Sequence, residues 1–174
     1  MLLAVALLLV AAALGGLWVM LRMYPYDLQP VIEEAAGKYA LDPLFVAAVI
    51  RTESNFKTDA RSSAGAVGLM QIMPDTGQWI AGKNKWDFSQ EMLLDGKYSI
   101  EAGCWYLDYL TKEFGGNTTM ALAAYNAGDG KVRKWVAEGR FNQGKYDIPF
   151  KETRIFVKKV LDAYDKYKLL YGRH

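Results

Sequence analysis

Residues 41–56 read LDPLFVAAVIRTESNF, and this stretch decides how the chain folds. Asp42 has a side chain that caps helix N-termini, and Pro43 after it suits the first position of a helix. Apolar residues then recur at helical spacing as far as Ile50. The stretch therefore predicts a buried helix from Pro43 to about Ser54.

Glu53 lies on the apolar face of that predicted helix. It follows Ile50 by three residues and Val49 by four, so it continues the buried face where the helix meets the next loop. Burial disfavours the charged form of a carboxyl group and raises its pKa, which suits a general acid working near neutral pH. Glu53 is therefore the candidate catalytic acid, although a satisfied or exposed glutamate at a helix end fits the same spacing.

The chain beyond residue 30 predicts one mainly α-helical domain. Residues 31–39 carry a helical apolar stripe, whereas small and polar residues between Asn55 and Gly68 favour a loop, with Gly65 and Gly68 serving its backbone. Further helices are predicted at residues 75–81, 96–114, 118–127, 130–138 and 151–171. The sequence has no sustained two-residue alternation and no internal repeat, so neither a large sheet nor a repeat architecture is expected.

Charge and composition exclude several classes of partner. The 21 basic residues exceed the 19 acidic residues by only two and are scattered among them, so nucleic acid is not an expected partner. The single cysteine, Cys104, cannot form an internal disulfide and is expected to be a small buried hydrophobe. The one histidine is His174, so no cluster of soft or imidazole ligands is available. We therefore expect stability to come from packing and catalysis to proceed without zinc.

The N-terminal segment predicts a membrane helix. Residues 2–21 contain no charged side chain, and about 20 apolar residues suffice to cross a bilayer. We assign residues 1–22 to an anchor or uncleaved signal segment, 23–30 to a linker and 31–174 to the catalytic domain. Small residues at Ala13 and Gly15 leave signal cleavage, and hence secretion, as an alternative. Arg22, the basic residue flanking the span, weakly favours a cytoplasmic domain, so the substrate has to decide the orientation.

Five blocks of sequence resemble one enzyme family, in the family's order. They are RTESNF at 51–56, SSAGAVGLMQIMPDT at 62–76, IEAGCWYL at 100–107, AAYNAG at 123–128 and IPFKETR at 148–154. Over about Asp27 to Tyr167 the chain resembles the soluble lytic murein transglycosylases. The resemblance implies a lysozyme-like, goose-type helical domain whose catalytic acid is Glu53.

The same resemblance implies the roles of further residues. Ser62 would settle the acyl-amino group of the sugar, and the other members of the sugar-binding cleft would be Gln71, Met73, Tyr125, Asn126 and Glu152. Amides, a tyrosine and a methionine suit sugar rings, because they combine hydrogen-bonding groups with apolar surface. Core packing is an equally good interpretation of Met73 and a better one of Met70. No metal ligand is implied.

The implied reaction cleaves peptidoglycan glycan strands at the β-1,4 bond between N-acetylmuramic acid and N-acetylglucosamine. Glu53 would protonate the glycosidic oxygen and then accept a proton from the sugar's C6 hydroxyl, leaving a 1,6-anhydromuramyl end without using water or a cofactor. The enzyme would work outside the cytoplasm, held by a single membrane span.

Three alternatives stay open. A goose-type muramidase would add a second carboxylate to activate water, but Asp59 and Asp75 are expected to be solvated or capping residues. A non-catalytic peptidoglycan-binding scaffold would keep the cleft without the chemistry. A membrane-assembly subunit would use the domain as a spacer, which leaves the motifs without a purpose.

Overall fold

The computed structural model describes residues 2–141 and 147–172, and it is helical throughout its regular parts. Its α-helices in chain order are α1 Leu2–Met23, α2 Gln29–Lys38, α3 Pro43–Glu53, α4 Pro74–Asn84, α5 Gly96–Glu113, α6 Thr118–Ala127, α7 Asp129–Ala137 and α8 Lys151–Tyr171. A short 3-10 helix, Gln90–Leu94, precedes α5. The described ranges hold no β-strand, only isolated bridges within the loop after α3. His174, the last residue of the predicted domain, lies outside the described residues.

Helix α3 is the centre of the domain, as its sequence predicts. Every side chain from Phe45 to Ile50 is buried, and α3 packs against α2 on one side and most extensively against α8 on another. The Asp42 side chain accepts a hydrogen bond of 2.8 Å from the backbone N–H of Leu44, which confirms the predicted N-cap. The helix ends at Glu53, one residue before the predicted end.

The other predicted helices are confirmed, with small shifts at their ends. Helix α2 begins at Gln29 with a proline in its first turn, so the segment between α1 and α2 shortens to residues 24–28. The reason is that proline is tolerated in a first helical turn, where its missing N–H would have no partner. The 3-10 helix was not predicted, because its five residues carry no periodic signal of their own.

Two glycines let the loop after α3 approach the rest of the domain. A Cβ on Gly68, whose φ is +79°, would lie 1.9 Å from the Leu93 carbonyl oxygen. A Cβ on Gly103 of α5 would lie 2.3 Å from the sulfur of Met70. Both Met70 and Cys104 are fully buried, which confirms their predicted core positions. Tight packing of this kind holds the loop in one place beside the end of α3.

Helix α1 stands apart from this core. None of its residues is buried, and its mean hydropathy of 2.6 over an 18-residue window makes it long and apolar enough to cross a membrane.

Candidate active site

The carboxyl group of Glu53 occupies a desolvated position at the C-terminal end of α3. Burial raises the pKa of Glu53 from 4.5 to about 8. Among the described residues no side chain forms a hydrogen bond or ion pair with this carboxyl group. Glu53 is therefore mostly protonated at neutral pH, and its proton is not committed to another protein group. This outcome confirms the sequence argument for a desolvated acid.

The loop of residues 54–73, called the site loop below, is bonded to α3 and to itself through Ser54. The Ser54 hydroxyl bonds to the Leu69 carbonyl oxygen at 2.8 Å and contacts the Ile50 carbonyl oxygen at 3.2 Å. Two isolated β-bridges, Arg61 to Val67 and Val67 to Ile72, pair backbone segments in the middle of the loop. The loop is thus a fixed wall beside Glu53.

Ser62 and Gln71 both help to shape the site loop. The Ser62 hydroxyl oxygen accepts a hydrogen bond of 2.9 Å from the Ala66 N–H, which leaves its own hydrogen free to donate. The Gln71 side-chain nitrogen donates to the Ala60 and Gly68 carbonyl oxygens, at 3.2 and 2.8 Å. Both of its hydrogens are then used, so Gln71 can offer a ligand only its side-chain oxygen.

Tyr125 lies beside Glu53, on α6. Burial, and after it the charge of Glu53, raise the pKa of Tyr125 well above 10.0, which keeps the hydroxyl neutral. That hydroxyl donates a hydrogen bond of 2.7 Å to the carbonyl oxygen of Met70 in the site loop. The Tyr125 ring packs against those of Tyr106 and Phe156, with centroids 5.4 and 6.5 Å away. Its hydroxyl oxygen can therefore accept a hydrogen bond, but its hydrogen is already used.

The remaining predicted site residues, Met73, Asn126 and Glu152, differ in their exposure and in their hydrogen bonds. Met73 is the N-cap residue of α4 and is 42% exposed, so it is a surface residue rather than part of the core. The Asn126 side-chain oxygen accepts a hydrogen bond of 2.8 Å from the buried Thr153 hydroxyl, which joins α6 to the start of α8. Glu152 is exposed on the first turn of α8. No contact in the described part of the chain connects Glu152 to Glu53.

A group of four packed rings, which sequence reasoning missed, continues from Tyr125. This aromatic cluster consists of Trp79, Trp105, Tyr106 and Tyr109. Trp79 lies 5.4 Å from Trp105 and 5.0 Å from Tyr109 between ring centroids, and Tyr106 also contacts Tyr125. The only sign of this cluster in the sequence is the helical spacing of its three α5 rings. Core residues of a helix have the same spacing, so the spacing does not indicate a binding surface.

A cavity of about 440 Å³ opens at the aromatic cluster. Its lining residues are Asp75, Thr76, Trp79, Tyr106, Tyr109 and Asp129. Aromatic faces with carboxylates at the rim are a surface on which sugar rings can stack and form hydrogen bonds. Within residues 2–141 and 147–172 no group of three or more histidine, cysteine, aspartate and glutamate side chains could hold a metal ion.

Comparison with known proteins gives consistent results. The family model described as the transglycosylase SLT domain matches residues 30–148. The chain is 36% identical over 168 residues to a soluble lytic murein transglycosylase of Escherichia coli (strain K12), covering 90% of this chain and 25% of that protein. It is 29% identical over 163 residues to a membrane-bound lytic murein transglycosylase C of Actinobacillus pleuropneumoniae, covering 79% of this chain and 45% of the relative.

Solved structures agree with the sequence comparison. The 70 kDa soluble lytic transglycosylase of Escherichia coli superposes with a TM-score of 0.83 at 33% identity, over 91% of this chain and 27% of that one. An inactive mutant of the lytic transglycosylase Slt from Pseudomonas aeruginosa gives 0.78 at 33% identity, over 87% and 25%. The chain spans about a quarter of the length of these soluble relatives. With the family model covering more than half of its residues, the chain belongs to the transglycosylase SLT domain family.

Proposed function

We propose that this chain is a peptidoglycan lytic transglycosylase that leaves 1,6-anhydromuramyl ends. Two lines of support converge on it. The relatives carry the name lytic murein transglycosylase, and they match nearly all of the chain outside α1. The observation that carries the proposal is the carboxyl group of Glu53, protonated at neutral pH and free of protein partners among the described residues.

A single carboxyl group of this kind suffices for the reaction. Glu53 donates its proton to the glycosidic oxygen, and the electron pair of the breaking C1–O bond stays on that oxygen. The substrate's own N-acetyl group stabilises the positive charge that develops at C1. The Glu53 carboxylate then takes the proton of the C6 hydroxyl while the C6 oxygen bonds to C1. This proton transfer returns Glu53 to its protonated form.

The environment of Glu53 favours this reaction over hydrolysis. A muramidase needs a second carboxylate about 5 to 9.5 Å from the acid. Burial is the one cause of the raised Glu53 pKa, and no neighbouring carboxylate contributes to it in the described part of the chain. Asp59 and Asp75 are both exposed. Within the described residues the titration of Glu53 thus gives no sign of a partner carboxylate that could activate water, which supports attack by the C6 hydroxyl.

The other predicted site residues would line the sugar-binding cleft. Ser62 has a hydroxyl hydrogen to offer the acyl-amino group, and Gln71 has a side-chain oxygen that can accept from a sugar hydroxyl. Met73 would offer an exposed apolar surface to a sugar ring, and Tyr125 would offer its hydroxyl oxygen as a hydrogen-bond acceptor. Asn126, which is bonded to Thr153 of α8, and the adjacent Glu152 would form a further edge of the cleft. The aromatic cluster extends the cleft away from Glu53 and would hold sugar units distant from the cleaved bond.

The enzyme would act from the cell membrane. Helix α1 would form a single span, and because peptidoglycan lies outside the cytoplasm, the catalytic domain would lie on the extracytoplasmic side. Membrane association is supported by the membrane-bound relative as well as by α1.

Digestion of purified sacculi with the detergent-solubilised full chain tests the proposed reaction. We expect released muropeptides with anhydro ends, which mass spectrometry identifies because they are lighter by one water than hydrolysed products. Glu53→Gln is the matched control. Hydrated reducing ends as the main product would indicate a muramidase, and no release by the wild type would favour a binding scaffold.

A further inference from the structure

The segment that follows the membrane span is bonded directly to the helix that carries Glu53. The Arg51 side chain of α3 donates a hydrogen bond of 2.7 Å from Nε to the carbonyl oxygen of Met23, the last residue of α1. The Arg51 guanidinium also lies over the ring of Tyr24, 4.1 Å from its centroid. A charged hydrogen bond and a cation–π contact on one side chain hold the end of the span to α3.

The C-terminal end of α8 grips the same segment from the other side. Tyr171 donates a hydrogen bond of 2.8 Å to the Tyr24 carbonyl oxygen, and Tyr167 donates one of 2.5 Å to that of Pro25. The ring of Tyr26 lies 6.2 Å from that of Tyr167 and 5.3 Å from that of Tyr171. Residues 24–26, together with Arg51, Tyr167 and Tyr171, form what we call the juxtamembrane lock. The linker expected from sequence is thus fixed to the domain.

Two exposed leucines lie within a few residues of this lock along the chain. Leu169 is 67% exposed two residues before Tyr171, on the side of α8 that faces away from the bonded segment, and Leu28 is 40% exposed just before α2. Tyrosine favours the interface between lipid headgroups and water, lysine can extend its ammonium group into that layer, and an exposed leucine can enter the acyl boundary below it. The local charges are mixed, as in the 2.9 Å pair of Lys168 with Asp165, so no strong attraction to anionic lipid is built in.

We infer that this face of the domain rests in the headgroup layer of the bilayer that α1 spans. The inference deepens the proposed membrane attachment and depends on it. The contact partner of this face is lipid because the face is continuous with α1. The lock holds residues 24–26 against the domain, so no flexible segment lets the domain move away from the end of the span.

The same contacts fix the height of the active site. Bond lengths and helix geometry place the Glu53 Cα within about 14 Å of the Met23 carbonyl oxygen, through Arg51. The glycan strands within reach are therefore those close to the outer surface of the membrane, rather than those in distant layers of the wall.

Nitroxide labels on the full chain, in nanodiscs of phosphatidylcholine alone, test the inference. One label is attached through Leu169→Cys and a matched one through Ile155→Cys, an exposed residue on the same helix about 21 Å along its axis. The native Cys104 is buried, so it reacts little. We expect the ratio of oxygen to aqueous nickel-chelate accessibility to be several-fold higher at 169 than at 155. Adding Arg51→Gln should lower the ratio at 169 and leave 155 unchanged.

A third label, attached through Leu9→Cys in α1, distinguishes failure of the membrane-contact face from failure of the membrane anchor. Lipid exposure at 9 with equal aqueous exposure at 169 and 155 overturns the membrane-contact face but leaves the anchor standing. Aqueous exposure at all three positions removes the anchor itself, and the inference with it. Glycan cleavage is not needed for any of these readouts, so the proposed reaction is tested separately.

Discussion

Replacing Glu53 by glutamine should stabilise the fold, by an amount that grows with pH. A carboxyl group whose pKa is raised on folding contributes stability that is fully present below its unfolded pKa and is lost as pH rises through the folded value. For Glu53 this window runs from 4.5 to about 8. The wild type should lose about 1.4 kcal/mol per pH unit inside the window, hence about 3 kcal/mol by pH 7. Glutamine does not titrate and escapes this loss.

Thermal unfolding of both proteins, from pH 4 to pH 9, measures the effect. For a chain of this size 3 kcal/mol corresponds to a Tm difference of roughly 6 to 12 °C. We expect the Tm of Glu53→Gln to exceed that of the wild type by about this amount at pH 7, with the difference shrinking towards pH 4. Groups that do not interact with Glu53 titrate alike in the two proteins, and Tyr125, which does interact with it, has a pKa raised well above 10.0 and does not titrate in this range. A Tm difference that stays constant from pH 4.5 to pH 8 would refute the claim that Glu53 is desolvated.

Substitutions at three positions in the cleft should have graded effects. Ser62→Ala should lower kcat about 10- to 100-fold with little change in KM, if its hydroxyl orients the N-acetyl group mainly in the transition state; an unchanged kcat would place it outside the cleft. Tyr125→Phe should cost about 1 kcal/mol of unfolding free energy, by removing the hydrogen bond to Met70, and Tyr125→Ala should lose more stability and more activity. Trp79→Ala should raise KM for long glycan strands about 3- to 10-fold, and the KM of Trp79→Phe should lie between those of the wild type and Trp79→Ala. The same KM in all three proteins would exclude sugar stacking on Trp79.

Local sequence signals predicted most of the helices, because each signal acts within a few residues. The Asp42 cap, the proline after it and the apolar spacing up to Ile50 are sufficient to define α3, and the same periodicity defines α8. The desolvation of Glu53 follows from its register on α3. These inferences needed no knowledge of distant contacts.

Features built from distant contacts could not be predicted. The hydrogen bond from Tyr171 to Tyr24 joins residues 147 positions apart, and the aromatic cluster brings α4 onto α5. Nothing in the local sequence indicates that Gln71 uses both of its side-chain hydrogens on the site loop. Resemblance to a family suggested which residues belong to the cleft, but only the packing shows which of their hydrogen-bonding groups remain free.

The central claim is that Glu53 works alone, as acid and then as base, on a strand whose own C6 hydroxyl is the nucleophile. The most direct measurement is cleavage of sacculi in H₂¹⁸O, followed by mass spectrometry of the released muropeptides. We predict anhydro ends that carry no ¹⁸O from the wild type, and no products from Glu53→Gln. Reducing ends that contain ¹⁸O would show that water is the nucleophile and would contradict the account.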